Sequence, residues 1–268
     1  MDTFLDLASD TFDEDDLVAA LKNMSCAPHM VSRLRRWLIP HMDREMHKAY
    51  WAYVKAAERL NMPYRATFEL EYLESWADYY LHAATAVASD ASTLDGAKER
   101  TILLTWHHPE APLLMAKIQS LGALTLIAQE ARWMLELMGA GNTLLFRNPS
   151  SGISLLKAFR KGQTIACMMD YCYDETVNVK IPFLGYQAAT PAGLLMLASR
   201  FGYQIDFISY KNNSACIIAS THARNRTAED LAVWINALLE HEIIAEPTRW
   251  LLWPSVDRRW RGVQYEHK

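Results

Sequence analysis

An alternation that begins near Thr101 limits the fold more than any other feature of the sequence. "TILLT", "ALTLIA", "NTLLFR" and "TIACMMD" are short apolar runs rich in strand formers. Between them lie "LLMAKIQSLG", "ARWMLELMG" and "SSGISLLKAFRKG", whose apolar residues recur at helical spacing. Then come "TPAGLLMLASRFG", with a threonine cap, a first-turn proline and a closing glycine, and "YQIDFISY" and "ACIIAST", a hairpin around "KNNS". "TAEDLAVWINALLEHEII" closes the series as a capped helix. Such order predicts an α/β fold, with a mostly parallel or mixed central sheet flanked by helices.

Upstream the pattern is helical. "TFDE", Thr11 to Glu14, matches a capping box before "LVAALKNM", a segment expected to end at Pro28. "MVSRLRRWLIP" reads as a second short helix closed by Pro40. A third spans His41 to Asn61 and a fourth runs from about Arg65 to Ala84. Their methionine and aromatic stripes read as core. "SDASTLDG", Ser89 to Gly96, is the expected boundary between a helical N-terminal region packing on the core, 1–95, and an α/β core, 96–268.

Composition narrows the classes of function. A net charge of −4 gives no electrostatic basis for nucleic-acid binding. The four cysteines do not read as a disulfide framework, and the acidic start does not read as a secretory signal. Ile181 to Ser199 is free of Asp, Glu, Lys and Arg but is interrupted by Pro182, Gly185, Pro191 and Gly193, so no transmembrane segment is expected. Tryptophan and arginine near the end leave peripheral membrane contact open.

Two polar clusters follow strand ends. "HHPE" comes after "TILLTW", and "DYCYDE" begins at Asp170. In open α/β sheets, ligands sit beyond the carboxyl ends of the strands, so both clusters can face one cleft. A solvated turn at the histidines and a loop cap at Asp170 are the alternative readings. No metal site is expected: Pro109 prevents a regular helix from presenting His107 and Glu110 together, and "HEIIAE" lacks the second zincin histidine. There is no GxSxG, Walker or GxGxxG element, and no deaminase "PCxxC".

From Thr101 to Gly262 the chain resembles the lysophospholipid acyltransferase-like superfamily, nearest the bacterial lipid A late acyltransferase branch. The resemblance is carried by "MMDYCYDETVNVKIPFLGYQAATPAGLLMLASRFG" and by the terminal "RWLLWPSVDRRWRG". In that family a histidine after the first strand is followed, four residues on, by Asp or Glu. Here that acid position falls on Pro112 counted from His107, or on Leu113 from His108, with Glu110 the nearby carboxylate. The family's hydrophobic N-terminal anchor has no counterpart, and near "LIAQEARW" Arg132 is the one arginine that matches.

The resemblance implies acyl transfer from a thioester to an amine or hydroxyl, in lipid or secondary-metabolite biosynthesis, with an aminoacyl group as one variant. It makes His107 the general base, Glu110 a stand-in orienter, His108 either a donor behind the base or the base itself, and Asp170 a residue shaping the site. Arg147, Arg258 and Arg259 become candidates for binding substrate phosphate. No permanently bound cofactor is expected. Acyl-CoA or a phosphopantetheinyl carrier thioester is the co-substrate, and an acyl or peptidyl carrier protein and a small-molecule or lipid acceptor are the partners. The expected location is cytoplasmic, peripheral on the inner face of the membrane. A non-catalytic binding or scaffolding module and a thioester hydrolase are the competing readings.

Overall fold

In the computed structural model the chain is described over residues 14–22, 28–86, 99–127, 143–145, 151–171, 177–211 and 214–261. The sheet begins at Thr101, where β-branched and leucine-rich runs form its strands. It has six strands: β1 (Thr101–Thr105), β2 (Leu124–Ile127), β3 (Thr143–Leu145), β4 (Ile165–Met168), β7 (Gln204–Lys211) and β8 (Ser214–His222). Their order is β3-β2-β4-β1-β7-β8. Neighbours are parallel except β7 and β8, which make the expected antiparallel hairpin. The fold is thus mixed α/β with a mostly parallel central sheet and a helical N-terminal region.

Alternate residues of the strands feed two layers. Leu103, Ala166 and Ile208 face Leu114 and Ile118 of α4 (Ala111–Ser120). Ile102, Leu104, Ile165 and Phe207 face the larger core. That core also holds residues of α2 (Pro28–Leu60) and α3 (Phe68–Thr85), so the N-terminal helices share the apolar interior of the sheet. The remaining helices are α1 (Glu14–Lys22), α5 (Ser151–Lys161), α6 (Gly193–Phe201), α7 (Ala228–Ala245) and α8 (Val256–Arg261). On α7 the Thr227–Asp230 capping box is present in full.

Several local expectations change. Pro40 does not close a helix: α2 runs unbroken from Pro28 to Leu60. A helix-interior proline costs roughly 3 kcal/mol. Here the stripe Leu34, Leu38, Met42, Met46, Ala49 and Tyr53 stays in register across it and is buried throughout, which offsets the loss. The His41 ring, stacked on Trp37, also meets the Trp37 carbonyl at 2.7 Å beside the proline. Pro28 opens α2 rather than ending α1, whose last residue is Lys22. Thr190 does not cap α6: it is the buried penultimate residue of a strand, and Ala192 is the N-cap. The capping box at Thr11, the "ARWMLELMG" helix and the boundary at Ser89 to Gly96 lie outside the described residues.

The stretch around "PFLG" is a hairpin, β5 (Asn178–Phe183) against β6 (Tyr186–Pro191). Leu184 and Gly185 make its turn with φ of 52° and 78°, the pair of positive angles of a tight hairpin turn. Burial of the Leu184 side chain holds a leucine in that unusual conformation. A Cβ on Gly185 would lie 2.6 Å from Cβ of Arg59 on α2. Gly185→Ala is therefore expected to destabilise the protein by about 1–3 kcal/mol, read as a lower urea midpoint, whereas the open position Gly152→Ala should leave that midpoint unchanged or raised.

Candidate active site

The parallel register of β1 and β4 creates the site. Thr105 is opposite Met168, and Met169 N–H donates to the Thr105 carbonyl at 3.2 Å. Two residues further along each chain stand His107 and Asp170, side by side beyond the carboxyl ends of two central strands.

His107 Nδ1 lies 2.7 Å from Asp170 Oδ1, and His107 backbone N–H donates to Oδ2 at 2.8 Å. Trp250 donates its indole N–H to the same Oδ2 at 2.9 Å. Burial by itself would raise the Asp170 carboxyl. The His107 imidazole and these N–H donors outweigh it and hold the group below its ordinary value. An ionised Asp170 accepts from Nδ1–H, which leaves the lone pair of His107 on Nε2. The His107 side chain is 28% exposed while Asp170 is fully covered, so the imidazole can meet a substrate and the carboxylate cannot.

His108 is a different kind of residue. It is buried against Trp106, and its Nδ1 lies 3.1 Å from Glu110. Burial depresses its basicity against the opposing pull of Glu110. Glu110 also receives a hydrogen bond from Arg249. Although burial would raise the Glu110 carboxyl, His108 and Arg249 bring it down to about 2. Glu110 is therefore not the orienter of His107. It turns away toward His108 and Arg249, and the acid at the His107 ring is Asp170.

The segment after α7 closes the site. It contains Arg249, Trp250 and Leu251, and the last donates its N–H to the His107 carbonyl at 3.1 Å. Tyr72 of α3 donates to the Leu251 carbonyl at 2.7 Å, and His82 Nδ1 of α3 meets the Pro109 carbonyl at 2.9 Å. Arg249 and Trp250 were not singled out from the sequence. Their only signal was membership in the Trp- and Arg-rich end.

The arginine candidates separate. Arg259 is a structural residue, 2% exposed. It donates to the Ala189 carbonyl, Thr190 and Asn236, with its guanidinium 3.7 Å from the Phe183 ring centre. Unlike Arg259, Arg258 is exposed and donates to the hydroxyl of Tyr171, the neighbour of Asp170, at 2.5 Å. Arg147 lies outside the described residues, as does Arg132. Among the described residues no cluster of three or more His, Cys, Asp and Glu is arranged to hold a metal ion. No described helix is long and apolar enough to cross a membrane.

The family model for bacterial lipid A biosynthesis acyltransferases matches residues 134–261. Over this segment, which includes Asp170 and Trp250 but not His107, the chain is related to that family. The match supports a transferase of the lipid acyltransferase kind. No curated protein matches the sequence.

Two predictions follow from the carboxylates. Trp250→Phe removes an N–H from a buried carboxylate and should cost about 1–3 kcal/mol in urea unfolding. Glu110, ordinarily near 4.5 and held at about 2, adds stability that is complete above about pH 4.5 and is lost as the pH falls toward 2. Unfolding curves at successive pH values should accordingly show a shallower acid loss for Glu110→Gln than for the unchanged protein.

Proposed function

We propose that the chain transfers an acyl group from a thioester to an amine or hydroxyl acceptor, with His107 as general base and Asp170 as its orienter. The observation that carries this reading is the 2.7 Å contact between His107 Nδ1 and Asp170, which leaves Nε2 as the base on the more exposed side of the pair. The acid that the resemblance put on the turn after His107 is supplied instead by the next strand of the sheet.

In this mechanism Nε2 takes the proton of the acceptor as its nitrogen or oxygen attacks the thioester carbonyl. The tetrahedral intermediate then collapses: the carbon–sulfur bond breaks, and the thiolate leaves with the proton returned from Nε2. Asp170 stays ionised and stabilises the imidazolium formed between the two steps. Arg258, which donates to the Tyr171 hydroxyl beside Asp170, is the candidate for a donor phosphate at the flank of the site in this reading. The donor class is coenzyme A or a phosphopantetheinyl carrier, and no permanent cofactor is required. An acyl or aminoacyl group and a small-molecule or lipid acceptor fit the reading, as does a place in lipid or secondary-metabolite synthesis at the inner face of a membrane.

The dyad is the argument against a scaffolding module, because a buried carboxylate and a half-exposed imidazole are costly to keep aligned without a use. The test is a panel of acyl thioesters with amine and alcohol acceptors, followed by mass spectrometry. Transfer is expected, with His107→Ala and Asp170→Asn each lowering kcat by about 10²–10⁴-fold. Turnover unchanged by His107→Ala removes the histidine from the mechanism, and release of free acid alone identifies a hydrolase.

A further inference from the structure

A groove of about 440 Å³ lies away from the dyad, between α2 and the 3₁₀ turn at Trp253–Ser255. One wall is a stripe on α2: Arg44, Lys48, Trp51 and Lys55. Their spacings of four, three and four residues put all of them on one helical face, over about 16 Å of helix. This face is opposite the core stripe of Met42, Met46, Ala49 and Tyr53. Trp51 meets Tyr50 edge-on at 5.7 Å and is still 58% exposed, leaving a large aromatic surface at the groove.

The charge pattern asks for an anion. Arg44 and Lys48 are like charges four apart, an arrangement that costs helix stability. Lys48 pairs with Glu45 at 2.5 Å and Lys55 with Asp257 at 3.8 Å, both exposed contacts. Such pairs contribute about 0–1 kcal/mol and exchange readily for a multivalent anion. Asp43 and Asp257 also line the groove, so its excess positive charge is modest and is concentrated along the helix stripe.

The groove adjoins the site through the C-terminal segment. Trp253, in its lining, packs edge-on against Trp250 at 4.9 Å, and Trp250 holds Asp170. Asp257, also in the lining, precedes Arg258, which reaches Tyr171.

We infer that this groove binds the adenosine 3′,5′-diphosphate end of coenzyme A, making coenzyme A the thioester donor; the donor role rests on the acyl-transfer reading above. Three cations in line match a ligand with several phosphates, and the exposed indole among them offers a face for a purine. The volume lies in the range of small-molecule sites rather than of flat protein docking surfaces.

The test titrates the full chain with adenosine 3′,5′-diphosphate by calorimetry, with circular dichroism as the fold control. Saturable, salt-weakened binding is expected. It should fall about tenfold or more in Trp51→Ala and in Arg44→Glu/Lys48→Glu, and should persist in Trp51→Phe. With acyl-CoA as donor, the same groove variants should raise KM and leave kcat in place; acyl-pantetheine, which lacks the nucleotide, should not respond to them. Absence of binding, binding indifferent to the groove variants, or equal use of acyl-CoA and acyl-pantetheine would overturn the assignment. Failure of the acyl-transfer reading shows separately: the nucleotide would still bind to the unchanged protein and to His107→Ala, while no thioester is turned over.

Discussion

The arrangement of the site depends on one buried carboxylate. Asp170 sits in an apolar interior beside Met169 and Cys167, where an unpaired charge would cost several kcal/mol. Burial, with the Asp170 charge nearby, pushes the neighbouring Cys167 thiol up to about 12. Asp170 remains ionised because three donors from two distant places in the chain meet it: the His107 ring, the His107 backbone and Trp250. Each has to be in place for the others to be useful, so the β1 end, the β4 end and the C-terminal segment are tied into one unit.

That unit explains the work of the N-terminal helices. Tyr53, Phe68 and Tyr72 form a stacked run, and Trp253 meets Tyr53 and Phe68 edge-on. Trp253 in turn supports Trp250. Packing therefore passes from α2 and α3 to the indole on Asp170 without a break. The Tyr72 hydroxyl fixes the Leu251 carbonyl in the same region. The N-terminal helices, which lie outside the acyltransferase resemblance, thus help to hold the His107–Asp170 pair in place.

The doubled histidine has a division of labour. His107 is half-buried and carries the open ring nitrogen. His108 is interior and joins Glu110 and Arg249, fastening the C-terminal segment to the turn after β1. Adjacent residues in an extended segment point to opposite sides, which is why one ring is partly exposed and the other lies in the core. The resemblance made Glu110 a stand-in orienter for His107, as the carboxylate nearest the vacant acid position. The turn at Pro109 sends it the other way, toward an arginine 139 residues distant.

By itself the sequence determined the alternation of strands and helices, the hairpin of β7 and β8, the capped α7, and the placing of two polar clusters at strand ends. These rest on periodicity and capping, which are local and survive in any fold the chain adopts. Only the tertiary structure decided that Asp170 is the acid of His107, since the parallel pairing that joins them spans a crossover. It also decided that Arg259 is buried among Thr190, Asn236 and Phe183, and that Pro40 is carried through a helix by an apolar stripe packed on α3. In each case a local preference was overruled by burial or pairing with residues far away in the chain, and no spacing rule records such partners.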